Sequence, residues 1–269
     1  MTKNKLEKQP TDLPSALENF QKITARFGSE DTLLFLDFDG TLAPIVEHHD
    51  DAAISEEMRG LVQELSKRFP LAVVSGRGLA DVRKRVNLPD LFYAGSHGFE
   101  ISGPNGFAKD HEEAVKVIPV FDEIEPLLKR KLKEIAGTDF ERKKFTMAIH
   151  YRQVKQEEQE KVHNIVSAVL NDYSEVTKAD GKKVIEIRPA IDWHKGRAVE
   201  FLKTVLSKKE NQLSVYVGDD VTDEDAFEYV KNGIGILVGE HGRQTYADYR
   251  VEDLKEVKLF FQKLLQYKS

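Results

Sequence analysis

Acidic residues recur in two short strings, each directly behind an apolar run. Asp37-Phe38-Asp39-Gly40-Thr41 follows Leu33-Leu34-Phe35-Leu36, and Gly218-Asp219-Asp220-Val221-Thr222-Asp223-Glu224-Asp225 follows Val215-Tyr216-Val217. Carboxylates at the end of a buried strand are costly to desolvate unless something uses them. Spacing of two places Asp37 and Asp39 on one side of an extended chain. Neighbouring carboxylates repel, and a divalent cation relieves that repulsion. A ligand set made of oxygen alone suits magnesium. Gly40 allows a tight bend or the close approach of an anion. The plain alternatives are an Asx-type turn at Asp39-Gly40 and a solvated acidic loop at 219–225.

Two further features belong to the same chemistry. Ser75-Gly76-Arg77 follows Leu71-Ala72-Val73-Val74 and offers a hydroxyl and backbone amides to a phosphate oxygen. Lys195-Gly196 opens a helical stretch and supplies a point positive charge to a phosphoryl group. Taken singly, the first reads equally well as a strand-to-helix loop and the second as a solvated helix start. Ligands of an open parallel sheet gather at the carboxyl ends of its strands, so groups distant in sequence can converge there.

The elements that must position these groups follow from periodicity. Leu33–Leu36, Leu71–Val74, Leu91–Ala94, Val215–Val217 and Ile234–Val238 are short, continuous apolar runs, which predicts strands covered on both faces. Helices are expected over Leu13–Phe27, behind an N-cap at Ser55, and in a last segment carrying Phe260, Phe261, Leu264 and Leu265. After Gly103-Pro104-Asn105-Gly106 the pattern changes. Val117, Phe121, Ile124, Leu128, Leu132 and Ile135 keep helical spacing across Pro126, which predicts a kink or two helices. Thr146–Arg152 and Lys182–Arg188 alternate, which predicts an antiparallel sheet with one open face, with Arg152 on one open strand face and Lys182 and Glu186 on another. The fold class expected is α/β: a doubly wound parallel-sheet core, residues 1–103 and 190–269, interrupted by an inserted α/β cap, residues 104–189.

Composition narrows the partners. The chain has 269 residues, 40% of them hydrophobic, which suffices for a sizeable core. Its net charge of −6 argues against nucleic acid or an anionic membrane surface. With no cysteine there is neither disulfide nor thiolate metal site. No run approaches the ~18 apolar residues of a spanning helix. The polar start, Met1–Pro14, lacks the apolar centre of a signal peptide, so a cytoplasmic location is expected. His48 and His49 lack a second ligand pair at metal spacing, and Trp193 reads as packing.

The string Asp37–Thr41 resembles the first motif of the haloacid-dehalogenase-like phosphotransferases, and 218–225 resembles their fourth. The extended string Asp37–Ile45, Gly95-Ser96-His97-Gly98-Phe99-Glu100, His150-Tyr151-Arg152 and 181–189 are similar to the trehalose-phosphatase family. The resemblance implies a magnesium-dependent phosphatase acting on a small sugar phosphate, trehalose 6-phosphate. Asp37 would be the nucleophile, Asp39 the acid and base, and Thr41, Ser75 and Lys195 the phosphoryl-stabilising groups. Mg2+ would be held by Asp37, the Asp39 carbonyl and Asp219, with Asp220 and Asp223 behind them or sharing ligation. Substrate contacts would fall on Arg77, His97, Glu141, Lys143, Arg152, Lys182 and Glu186. The alternatives are a phosphatase for sucrose or mannosylglycerate phosphate, a phosphomutase, or a non-catalytic sugar-phosphate sensor. Functional coupling to a separate trehalose-phosphate synthase is also implied.

Overall fold

The structure, a computed structural model, describes residues 8–27, 31–46, 51–181, 183–207, 209, 212–230 and 232–267. His48, His49 and Lys182 therefore lie outside the described residues. In chain order the elements are α1 (Phe20–Thr24), β1 (Asp31–Leu36), α2 (Glu56–Ser66), β2 (Leu71–Val74), α3 (Leu79–Val86), β3 (Phe92–Gly95), β4 (Glu100–Ser102) and β5 (Ala108–Asp110). There follow α4 (Glu112–Leu132), β6 (Asp139–Arg142), β7 (Met147–His150), α5 (Gln156–Leu170), β8 (Val176–Gly181) and β9 (Val184–Pro189). The chain ends with α6 (Lys195–Leu206), β10 (Gln212–Gly218), α7 (Glu224–Tyr229), β11 (Ile234–Val238), β12 (Tyr249–Val251) and α8 (Leu254–Gln266). Two compact units result: the chain up to Lys109 with the chain from Trp193 onward, and Asp110–Asp192.

The first unit is built on a sheet of order β12-β11-β10-β1-β2-β3-β4-β5. Its strands from β12 to β3 are parallel, and β3 pairs antiparallel with β4. The continuous apolar runs are explained by burial on both faces. In β1, Leu34 and Leu36 enter one core with residues of α2, α3 and α8, while Leu33 and Phe35 enter a second core with residues of α6 and α7. Ser55 caps α2 by accepting from Met58 N at 3.2 Å. From β1 the chain steps outward through β2 and β3, and from β10 it steps the other way through β11 and β12. The order therefore reverses between β1 and β10, the position where open α/β sheets bind ligands.

Two expectations change here. The helix expected over Leu13–Phe27 is confined to α1. Ahead of it the backbone is engaged beside β12: Ala16 N donates to Arg250 O at 2.8 Å and Arg250 N to Pro14 O at 3.0 Å. Leu17, Phe20 and Ile23 still pack on the core. The turn at Pro104–Gly106 also does not leave the sheet, because β5 continues it.

In the second unit four antiparallel strands, ordered β6-β7-β9-β8, carry α4 and α5 on one face. Met147, Ile149, Ile185 and Ile187 meet Phe121, Ile124, Leu128, Val162 and Val166 there. Helix α4 is continuous through Pro119 and Pro126. Each interior proline costs about 3 kcal/mol, and the buried stripe Val117, Phe121, Ile124, Leu128 and Leu132 offsets it. β7 ends at His150, so Arg152 lies in the turn that follows and not on the strand. Glu186 stands on the open face of β9, opposite the buried Ile185 and Ile187.

Candidate active site

Because Leu36 is in register with Val217, the residues after β1 and β10 leave the sheet side by side. Asp37 N donates to Val217 O at 2.9 Å, which fixes Asp37 beside the Gly218-Asp219 turn. The Asp37 side chain is buried, and its Oδ1 accepts from Lys195 Nζ at 2.8 Å. Lys195 is the first residue of α6 and is itself buried, so its ammonium is delivered under the sheet ends by the helix start. A second donor bond runs from Lys195 Nζ to Asp223 Oδ1 at 2.7 Å.

Asp223 completes this cluster from behind. Its Oδ1 also accepts from Tyr216 OH at 2.6 Å, and its Oδ2 accepts from Asp219 N and Asp220 N, both at 3.0 Å. Four donors fill the acceptor capacity of one carboxylate. Asp223 therefore holds Lys195 and the 219–220 loop in place, while the exposed Asp220 caps the short turn at Val221–Asp223. Tyr216 is a functional neighbour that sequence reasoning missed. The signal was a tyrosine inside a buried strand, whose hydroxyl needs a partner.

The electrostatics are those of carboxylates short of positive charge. Burial holds the Asp37 pKa well above the usual carboxylate value; Lys195 pulls it down, and Asp223 and Asp219 add to the rise. Asp219 is pushed up to about 8, by burial first and by Asp223 next. Burial opposes the charge on Lys195, but Asp223 and Asp37 outweigh it and raise its pKa. One ligand atom each from Asp37, Asp219 and Asp223 lies within 4.8 Å of the others. Buried, mutually repelling oxygen donors fit a hard divalent cation. Four donors occupy Asp223, so Asp37 and Asp219 keep the acceptor capacity of this cluster. Thr41 adds a second sign of an incomplete polar site: its buried Oγ1 has no hydrogen-bond partner among the described residues.

The phosphate-side residues converge through β2 and β3. Ser75 follows β2, is buried, and its Oγ accepts from Arg77 N at 3.1 Å. Ser75 O accepts from His97 N at 2.9 Å, which brings the Ser96–Gly98 turn alongside. In that turn Ser96 and His97 have φ of 50° and 57°, an uncommon conformation for residues with a side chain. A Cβ on Gly76 would sit 2.9 Å from the His97 ring, so Gly76 is the residue type this contact needs. Arg77, expected to meet substrate, spends each of its three guanidinium nitrogens on protein carboxylates: Nε and Nη2 on Asp39 and Nη1 on Asp81. Asp81 was also missed, although Arg77, Asp81 and Arg85 recur at the spacing of one helix face.

The remaining candidates belong to the second unit. Glu141, Ala148 and Glu186 are direct register partners across β6, β7 and β9 and so share the open face. Lys143 Nζ lies 3.6 Å from Glu141 Oε1, and His150 Nε2 lies 3.4 Å from Glu141 Oε2. Arg152 is exposed in its turn.

This arrangement, with a buried acid and lysine at the switch point of a parallel sheet, has the fold of the haloacid dehalogenase-like hydrolases. One such hydrolase from B. subtilis superposes with a TM-score of 0.56 at 15% identity, covering 88% of this chain and 100% of that one. The profile of the trehalose-phosphatase family matches residues 35–254, most of the sequence. The chain belongs to that family. It is 41% identical over 273 residues to trehalose 6-phosphate phosphatase RA3 of Zea mays, covering 95% of this chain and 76% of that protein. The crystal structure of a trehalose-6-phosphate phosphatase related protein superposes with a TM-score of 0.77 at 25% identity, over 87% of this chain and 97% of that one. Among the described residues no helix is long and apolar enough to cross a membrane.

Proposed function

We propose that the chain hydrolyses trehalose 6-phosphate to trehalose and inorganic phosphate through an aspartyl-phosphate on Asp37. The observation that carries the reading is the pairing of Asp37 with Lys195 and Asp219 at the sheet's switch point, in a member of the trehalose-phosphatase family. The Asp37 carboxylate attacks phosphorus, and the bond from phosphorus to the sugar oxygen breaks. Asp39 hands its proton to that leaving oxygen and later takes one from the water that attacks the aspartyl-phosphate, releasing phosphate and restoring Asp37. Lys195, Ser75 and Thr41 hold the phosphoryl oxygens. Asp37, Asp219 and the Asp39 carbonyl would hold Mg2+, which would offset charge between nucleophile and phosphate.

The open sheet face of the second unit, with Glu141, Lys143 and Glu186, and Arg152 in the turn after β7, reads the sugar hydroxyls, and Lys182 joins them by family resemblance. A cytoplasmic setting and supply of substrate by a separate synthase complete the proposal. The test is phosphate release over a panel of sugar phosphates, with and without magnesium. Trehalose 6-phosphate should be preferred and release should require the metal. Preference for sucrose or mannosylglycerate phosphate, or isomerisation without release, would replace the reading.

A further inference from the structure

The Asp39 carboxylate stands at one end of an alternating chain of charges. Arg77 Nε donates to Asp39 Oδ2 and Nη2 to Asp39 Oδ1, both at 2.7 Å. Arg77 Nη1 donates to Asp81 Oδ2 at 2.9 Å. Both Asp81 oxygens accept in turn from Arg85 Nε, at 2.8 and 2.9 Å. Arg85 Nη1 then donates to Ala52 O at 2.6 Å, which ties the far end to main chain. Asp81 and Arg85 sit on successive turns of α3, and Arg77 lies one turn ahead of Asp81.

The backbone of Arg77 is held independently of this chain. Its N donates to Ser75 Oγ at 3.1 Å, and its O accepts from Ser96 N at 2.6 Å. The guanidinium lies 5.5 Å from the centre of the Phe38 ring, between the two acids of the first motif. What remains to be fixed is the direction of the fork, and that direction is set by its third nitrogen. A planar guanidinium bridging two carboxylates transmits the position of one to the other. Burial would raise the Asp81 pKa, but the hydrogen bonds from Arg85 and Arg77 outweigh it and hold the carboxyl below its ordinary value.

We propose that Asp81 is a positioning residue for the phosphatase reaction: by fixing Arg77 it aims the Asp39 carboxylate at the leaving oxygen of the substrate. The guanidinium meets Asp39 through both of its carboxylate oxygens, the group assigned to proton transfer. The inference rests on the reading of Asp39 as the group that moves the proton. It separates two kinds of substrate. A sugar alkoxide leaves poorly without a proton, whereas p-nitrophenolate leaves without one.

The experiment compares Asp81→Asn, Asp81→Glu and Asp39→Asn with the unaltered protein on trehalose 6-phosphate and on p-nitrophenyl phosphate. Positioned proton transfer contributes roughly 100- to 10,000-fold, so loss of aim should remove about tenfold of it. Asp81→Asn should therefore lower kcat on the sugar phosphate about tenfold more than kcat on the aryl phosphate, with KM moving less than about twofold. Asp81→Glu should recover most of the difference, because the carboxylate returns. Should Asp81→Asn fail to fold, Arg85→Gln loosens the same carboxylate from its far side and should give the same split in smaller measure. Equal losses on both substrates would make Asp81 a support of the fold and overturn the proposal. If Asp39→Asn shows the split and the Asp81 variants do not, positioning alone falls. If Asp39→Asn shows none, the acid–base reading falls and takes the proposal with it.

Discussion

Gly40 and Asp219 are packed so closely that a Cβ on Gly40 would overlap the Asp219 carboxylate. Gly40 also holds φ of +79° and donates its N–H to Ala43 O at 2.8 Å. The glycine of the first motif thus makes room for the acid of the fourth, and the two loops are built as one site. Gly40→Ala adds a side chain where no space exists and in a conformation that costs about 1–2 kcal/mol for a residue with a Cβ. Asp219 must move. The expected outcome is at least a tenfold weaker hold on magnesium, seen as a higher metal concentration for half-maximal stabilisation in thermal melts. Metal binding equal to that of the unaltered protein would show that Asp219 is not a ligand.

The proposed nucleophile can be removed without stranding its partner. Lys195 also donates to Asp223 at 2.7 Å, a second partner that Asp37→Asn does not touch. Asp37→Asn should abolish turnover and phosphoenzyme trapping by beryllium fluoride while leaving the circular dichroism spectrum intact. Lys195→Met behaves differently, because it leaves the buried carboxylates of Asp37 and Asp223 without their cation. Breaking a buried pair in this way costs about 3–5 kcal/mol, readable as a lower urea midpoint. Steady-state turnover by Asp37→Asn, or an unchanged midpoint in Lys195→Met, would contradict the roles assigned here.

The parts of the fold that sequence made legible are those governed by short-range pattern. The run Leu33–Leu36 announces a strand buried on both faces because its alternate residues feed two cores. The apolar–polar alternation over Lys182–Arg188 likewise announces a sheet with one open face, and Glu186 stands on it. Long-range pairing is what pattern does not carry. The segment before Phe20 has helical spacing, yet its backbone bonds to Arg250, more than two hundred residues away. Arg77 is legible as a cation behind the strand Leu71–Val74, but its commitment to Asp39 and Asp81 depends on the meeting of β1 and β2 ends. Tyr216 lies in an apolar run, and the acceptor of its hydroxyl, Asp223, stands seven residues on.

A buried phenol gives a pH signature separate from catalysis. Tyr93 is 1% exposed and donates its hydroxyl to Leu88 O at 2.7 Å. Burial raises its pKa from 10.0 to about 12. The native state therefore holds this proton more tightly than the unfolded chain. The stability it contributes is complete below pH 10 and is lost as pH rises through the interval from 10 to about 12. At about 1.4 kcal/mol per unit, the loss is on the order of 3 kcal/mol. Tyr93→Phe should begin about 1 kcal/mol less stable near pH 8 for want of its hydrogen bond, then decline less steeply between pH 10 and 12. Urea unfolding at a series of pH values measures both slopes, and parallel curves would refute the assignment.

The proposed recognition of the sugar rests on the second unit, and Glu186 tests it. Ala148 lies between Glu186 and Glu141 in register, so two acids flank a small residue on the open sheet face. Ile185 and Ile187 point to the opposite side, into the core with α4 and α5, and anchor the strand there. Truncating Glu186 should therefore leave the fold alone and remove only what its carboxylate binds. A hydrogen bond to a charged group is worth about 1.5–3 kcal/mol, a ten- to hundredfold effect. Glu186→Ala should lower kcat/KM for trehalose 6-phosphate by that factor relative to its effect on p-nitrophenyl phosphate, which offers no sugar hydroxyl to the face. Equal losses on the two substrates would place Glu186 in support of the structure. Undiminished kcat/KM for trehalose 6-phosphate would leave the aspartyl-phosphate chemistry standing and withdraw this face from sugar recognition.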